Sequence, residues 1–170
     1  MTTIAIDFKN KVVATDSQCT HYYNDNNLTF IRGKSTKIRK LGFKKYLTGC
    51  GISDELNRQA EFYKQYGYLD IPRDSDVIIL IIQDVNNKFT VDKYITVEYY
   101  KNYFYKILKI PSLKWECTTY MDKHTDFLSV GSGCQYAEGA FRAGKSAKDS
   151  VESASKCDCY TDNDIKVVQL

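Results

Sequence analysis

The chain has 170 residues, 43% of them hydrophobic and 26% charged, with a formal net charge of +3. That is enough for one domain with a real core, spanning 1–170, while the positive charge is too small and too dispersed for a nucleic-acid face. The longest apolar run, Val77 to Ile82, is far too short to cross a bilayer, and the start lacks the basic region of a secretory signal. The expected setting is therefore the cytoplasm, away from membranes, with the six cysteines reduced.

Thr2 to Phe8 alternates and is rich in β-formers, which predicts a first strand. Lys9-Asn10 predicts a tight turn into a second strand, Lys11 to Thr15. Asp16 to Gly33 is polar and Asn-rich and reads as a loop. Lys37 to Leu41 and Tyr46 to Thr48 read as short strands joined at Gly42, and Gly49-Cys50-Gly51 as a break. Ser53 is expected to cap a helix with Asp54 and Glu55 in its first turn, Leu56, Ala60 and Tyr63 on its apolar stripe, and Gly67 at its end. Asp76 to Asp84 is nearly continuous in apolar residues, a buried strand that Asn86-Asn87 turns into Lys88 to Ile95. Val97 to Thr119 is aromatic, lysine-rich and split by Pro111, and gives no clear period. Phe127 to Val130 predicts a strand broken by Gly131-Ser132-Gly133, followed by a helix over Gln135 to Ala143 with Tyr136, Ala137, Ala140 and Phe141 on one face. Ser146, with Asp149 three residues on, caps another helix, and Ile165 to Val168 is the closing strand. Strands, helix, strands, helices, strand is the order of an α+β layer protein.

Several motifs compete for the chemistry. Gly139 to Ser146 fits the phosphate-loop pattern G-x-x-x-x-G-K-S letter for letter. The stretch before Gly144, however, is amphipathic helix rather than a glycine-rich loop leaving a strand, so Gly144 is expected to end a helix and Lys145 to lie on the surface. Cys157-Asp158-Cys159 lacks zinc-site spacing, and with only His21 and His124 there is no histidine-rich metal site. The start offers more. Removal of Met1, normal before a small residue, leaves Thr2 with a free α-amine. Its Oγ is then a nucleophile, and its amine, with a reference pKa of about 7.7–8.0, a base near neutral pH. Read alone, the same residues are an ordinary strand start.

Five short segments, in order, settle the balance: Thr2-Thr3-Ile4; Val12-Val13-Ala14-Thr15-Asp16; Lys37-Ile38-Arg39-Lys40-Leu41; Thr48-Gly49-Cys50-Gly51 before a helix; and Ser129-Val130-Gly131-Ser132-Gly133 before another. Their order and spacing resemble the proteasome β-subunit family, most of all its bacterial ATP-dependent protease members of the HslV type. The likeness runs over Thr2 to about Tyr63 and from Phe127 to the C-terminus. It implies a four-layer αββα sandwich of the N-terminal-nucleophile (Ntn) hydrolase kind and a threonine endopeptidase working through an acyl-Thr2 ester.

The resemblance also implies roles. Thr2 is nucleophile and base. Lys37 favours the neutral amine, as a nearby cation does, and Asp16 holds Lys37. Gly51, with Gly49 as the competing register, supplies an oxyanion N–H. Ser132 touches the amine and relays protons, or caps the following helix, or does both. Asp158, in Asp158-Cys159-Tyr160-Thr161, supports the nucleophile from behind. No cofactor is implied for the chemistry, but a structural sodium or similar cation is, held in the family by backbone carbonyls around this turn, with Ser155, Asp158 and Thr161 as the counterparts of its site. The implied partners are further copies of the chain in a homo-oligomeric ring, an AAA+ unfoldase, and protein or peptide substrates. Two departures lie away from Thr2: Gly67 to Ser75 is short and polar where the family has a long helix, and about 97–124 is an atypical Tyr-rich segment whose Tyr99, Tyr100, Tyr103 and Tyr105 are candidate contacts. Two other readings stay open, a non-peptidase amidase of the same mechanistic class and a catalytically silent ring or decoy subunit.

Overall fold

The computed structural model describes residues 2–25, 27–71, 77–99, 112–121 and 125–170. Their strands are β1 (Thr3–Asp7), β2 (Val12–Asp16), β3 (Gln18–Asp25), β4 (Asn27–Lys34), β5 (Arg39–Gly42), β6 (Lys45–Cys50), β7 (Ile78–Val85), β8 (Lys88–Tyr99), β9 (Ser112–Met121), β10 (Phe127–Gly131) and β11 (Ile165–Gln169). The helices are α1 (Ser53–Tyr66), α2 (Cys134–Arg142) and α3 (Ala147–Ser155). One sheet has the order β10-β1-β2-β11, a second the order β5-β6-β7-β8-β9, and β3-β4 forms a separate hairpin.

Alternation builds the layers. Along β1, Ile4 and Ile6 enter the core between the two sheets, while Ala5 turns to the other face and packs with Ala14, Ala147 and Val151 beneath α3. Along β7, Leu80 and Ile82 enter the same inter-sheet core, where Phe8 meets Phe89 edge-on at 5.3 Å. Val77, Ile79 and Ile81 face α1 through Leu56 and Ala60. The unbroken apolar run is thus a strand covered on both faces. Helices, sheet, sheet and helix make a four-layer αββα sandwich.

The turns follow local chemistry. Asn86 and Asn87 both take positive φ, 52° and 60°, as a two-residue hairpin turn demands. Gly67 closes α1 in the left-handed conformation at φ 79°. Ser146 caps α3 by accepting the Asp149 N–H.

Four expectations are corrected. Asp16 to Gly33 is no loop: β3 and β4 pair from Gln18↔Lys34 to Asp25↔Asn27, because the β-formers of 20–23 and 28–31 flank an Asx-rich turn whose polarity hid them. The β5–β6 turn lies at Phe43-Lys44, with Lys44 at φ 47°, rather than at Gly42. Ser53 does not cap α1. Ile52 holds the extended cap position, Ser53 is already helical, and no side chain caps the end. Tyr136 is 49% exposed and leaves the buried face to Ala137, since adjacent helix positions point about 100° apart. The segment that gave no period supplies the end of β8 and most of β9, paired from Thr90↔Met121 to Tyr99↔Ser112. Tyr99 ends β8; Tyr100, Tyr103 and Tyr105 lie outside the described residues.

Candidate active site

Antiparallel pairing brings five chain segments to one end of the sandwich. β1 begins there with Thr3 opposite Gly131, the last residue of β10. β2 ends there at Asp16, opposite Ile165, the first residue of β11. In the other sheet β6 ends there at Cys50, followed by Gly51. A cavity of about 670 Å³ opens between them, and Thr2, Lys37, Cys50, Gly51 and Ser132 are in its wall.

Asp16 is the electrostatic centre. It is wholly buried, and Lys37 Nζ donates to both its carboxylate oxygens at 2.9 Å. The Thr3 N–H donates to Oδ1 at 2.7 Å and the Gln18 N–H to Oδ2 at 3.1 Å. Burial pushes the carboxyl above the ordinary aspartate value, against the pull of the Lys37 charge and these hydrogen bonds. One carboxylate thereby ties the residue after Thr2 to the lysine on the cavity wall. Arg39 steadies that lysine's main chain, donating through Nη1 to the Lys37 carbonyl at 3.0 Å and through Nε to Asn57 Oδ1 at 2.7 Å.

A second network stands on the opposite side of Thr2. The Ser132 N–H donates to the Thr2 carbonyl at 3.0 Å, and Ser132 Oγ donates to Asp158 Oδ2 at 2.6 Å. Asp158 also accepts from Thr161 Oγ1 at 2.7 Å and from the Tyr160 N–H at 3.1 Å. Burial alone would raise this carboxyl, but the bonds from Ser132, Thr161 and Tyr160 outweigh it and hold it below the ordinary aspartate value. The helix-cap alternative for Ser132 is not what the structure shows, since Gly133 holds that position and the serine side chain turns to Asp158.

Two glycines permit the approach. Gly131 has φ 106°, and a Cβ there would lie 1.7 Å from the Thr2 carbonyl oxygen. A Cβ at Gly133 would lie 2.3 Å from Thr3 Oγ1. The sequence marks both only as a strand break, and nothing in it separates a glycine needed for contact from one needed for a turn. Gly51, at φ 114°, stands at the strand-to-helix junction on the cavity wall, whereas Gly49 lies inside β6 opposite Ile79. Cys50, on the same wall, is a neutral thiol, its pKa pushed up to about 12 by burial.

The sodium counterparts fit a cation poorly through their side chains. Ser155 Oγ donates to the Glu152 carbonyl at 2.8 Å, and the Thr161 hydroxyl and both Asp158 carboxylate oxygens are hydrogen-bonded within the protein. Among the described residues no three His, Cys, Asp or Glu side chains are grouped to hold a metal ion. The phosphate-loop match is helix: Gly139 lies within α2, and Gly144 follows its end at φ 89°, where its N–H and that of Lys145 return to the Phe141 and Ala140 carbonyls. Lys145 is on the surface, bonded to Ser153 Oγ at 2.9 Å.

By sequence, no family model and no curated protein matches the chain. By structure, it superposes on eukaryotic HslV from Trypanosoma brucei with a TM-score of 0.57 at 14% identity, covering 99% of each chain. The fold is that of HslV. The Thiobacillus denitrificans BPH in complex with epoxomicin is equally near, with a TM-score of 0.56 at 14% identity over 99% of this chain and 98% of that one. The HslV fold thus includes the middle of the chain, where the sequence likeness fades. Among the described residues no helix is long and apolar enough to cross a membrane.

Proposed function

We propose that the chain is a cytoplasmic threonine peptidase acting through an acyl-Thr2 intermediate, its catalytic domain spanning 1–170. The observation that carries this reading is the placement of Thr2 on the cavity wall between the Asp16–Lys37 pair and the Ser132–Asp158 pair. With Met1 removed, the Thr2 amine takes the Oγ proton as Oγ bonds to the substrate carbonyl carbon. Lys37, beside it, disfavours a second positive charge and keeps the amine neutral, and Asp16 holds Lys37 in place. Ser132 Oγ donates its hydrogen bond to Asp158 and accepts one from the amine, which aims the amine lone pair at Oγ. The Gly51 N–H receives the developing oxyanion. The carbon–nitrogen bond breaks, the leaving amine departs with the proton, and water then cleaves the ester.

The HslV likeness supports a ring of identical subunits, protein or peptide substrates, and an AAA+ unfoldase as feeder. The chemistry calls for no cofactor, and a structural sodium ion near Asp158 would rest on main-chain carbonyls. Turnover of a fluorogenic peptide tests the reading. Thr2→Ala removes Oγ and one methyl group just ahead of β1, so activity should fall to background, at least about 10³-fold, with fold and assembly retained. Unchanged turnover in that variant would overturn the mechanism.

A further inference from the structure

The second network continues behind Ser132 into residues that the proposed chemistry does not use. Thr3 is fully buried, and its Oγ1 accepts the Gly133 N–H at 3.1 Å and lies 2.5 Å from Thr161 Oγ1. Either hydroxyl could be the donor of that last bond, but counting protons decides it. Asp158 is an acceptor, so the single proton of Thr161 goes to Asp158 Oδ2, 2.7 Å away. Thr161 is left to accept, and Thr3 must donate. Thr3 in turn has given its only proton away and can receive the Gly133 N–H. Every direction is then fixed: Gly133 N–H to Thr3, Thr3 to Thr161, Thr161 to Asp158, and Ser132 to the same Asp158 oxygen at 2.6 Å.

We propose that Thr3 is a positioning residue for the reaction at its neighbour Thr2: its hydroxyl, held by the Gly133 amide, donates to Thr161 and so fixes the Thr161–Asp158 pair against which Ser132 Oγ is oriented to meet the Thr2 amine as an acceptor. Thr3 does this without touching substrate. Its main chain reaches the other side of the site, because the Thr3 N–H is the donor that Asp16 Oδ1 receives at 2.7 Å. One residue therefore locks both supporting networks, its amide to Asp16 and its hydroxyl toward Asp158. Thr161 is a second member of the relay through its hydroxyl. Hydrogen bonds in series polarise one another, so the loss of the first weakens the last. The absence of any room for a side chain at Gly133 belongs to the same device, since a Cβ there would also stand 3.0 Å from Thr161 Oγ1.

The inference rests on the acyl-Thr2 reading for its purpose but not for its geometry, and the test separates the two. Thr3→Val keeps the shape and removes the hydroxyl, while Thr3→Ser restores it. In the full-length protein at neutral pH, the ¹³C resonance of the Asp158 carboxyl and hydrogen exchange at the Gly133 amide are compared by NMR. Thr3→Val should shift the Asp158 resonance and speed Gly133 exchange, with both restored in Thr3→Ser; an Asp158 resonance unmoved by Thr3→Val would refute the ordered chain. With peptide substrate, Thr3→Val should lower kcat about ten- to a hundredfold with little change in KM, and Thr3→Ser should recover it. Its effect on kcat should also be non-additive with Asp158→Asn. A loss confined to thermal stability, with wild-type kcat, would overturn the positioning role. A wild-type protein with no turnover would sink the peptidase reading while the NMR comparison still decides the chain.

Discussion

At the scale of single residues, the account turns on Asp16. A buried carboxylate is tolerable only with its charge met, and here an ammonium and two main-chain N–H groups meet it. Because burial raises its pKa in the folded state, the folded protein takes up this proton more readily than the unfolded chain does. Protonation of Asp16 on acidification therefore does not itself unfold the protein, but it releases Lys37. The expected outcome is an acid limb in kcat/KM lying above the ordinary aspartate pKa of about 4, at a pH where circular dichroism still reports a native fold. Asp16→Asn should abolish that limb and lower activity about 10²-fold or more. A limb that coincides with unfolding would contradict the role. Thr2, Asp16, Lys37 and Ser132 are named by the sequence because each sits in a short segment of recognisable pattern. Thr3, Gly133 and Thr161 as one network are not, because the Thr3–Thr161 link joins positions 158 residues apart that the sheet order β10-β1-β2-β11 brings to one end.

At the scale of elements, what was legible was what carries its own period or punctuation. β1, β7 and α1 show their buried faces in the residue pattern, and the paired asparagines after β7 announce their turn. β3, β4 and β9 were not legible, since a polar turn or a run of tyrosine and lysine masks the strand propensity on either side. The two sheets are also tied at the end remote from Thr2. Asp84 of β7 has a side chain only 2% exposed, and Lys11 from the β1–β2 turn and Lys44 from the β5–β6 turn reach its two oxygens at 3.0 and 3.1 Å. The two lysines hold its pKa below the ordinary aspartate value. A lowered folded pKa contributes stability that is complete above about pH 4 and is lost as pH falls through the folded value. Asp84→Asn should cost about 1–3 kcal/mol at neutral pH, with a fall in Tm of about 2–4 °C per kcal/mol. The gap from wild type should close on acidification below about pH 4, and a gap of constant size down to pH 2.5 would show that the cross-sheet charges contribute nothing.

At the scale of the whole molecule, the cavity beside Thr2 is open at the surface of a 19.6 kDa chain, which is too small to enclose a chamber. A peptidase with an open site of this kind needs assembly to keep folded proteins away from it. Light scattering at micromolar concentration should give a mass several times that of the chain, and a monomer would favour the stand-alone amidase. The overall αββα layering was legible from five short segments, although at 14% identity to HslV almost none of the intervening sequence carries it. In this chain the alternation of apolar residues fills the layers, and glycines and polar residues gather at one end. The central claim, that Thr2 with a free amine is the nucleophile, is tested most directly by intact mass spectrometry of the natively expressed protein before and after incubation with an electrophilic peptide probe that forms a covalent adduct with a nucleophilic hydroxyl. The account predicts a chain that begins at Thr2 and gains one probe molecule per subunit, mapped to Thr2 and absent in Thr2→Ala; a chain that keeps Met1, or a Thr2 left unmodified, would contradict it.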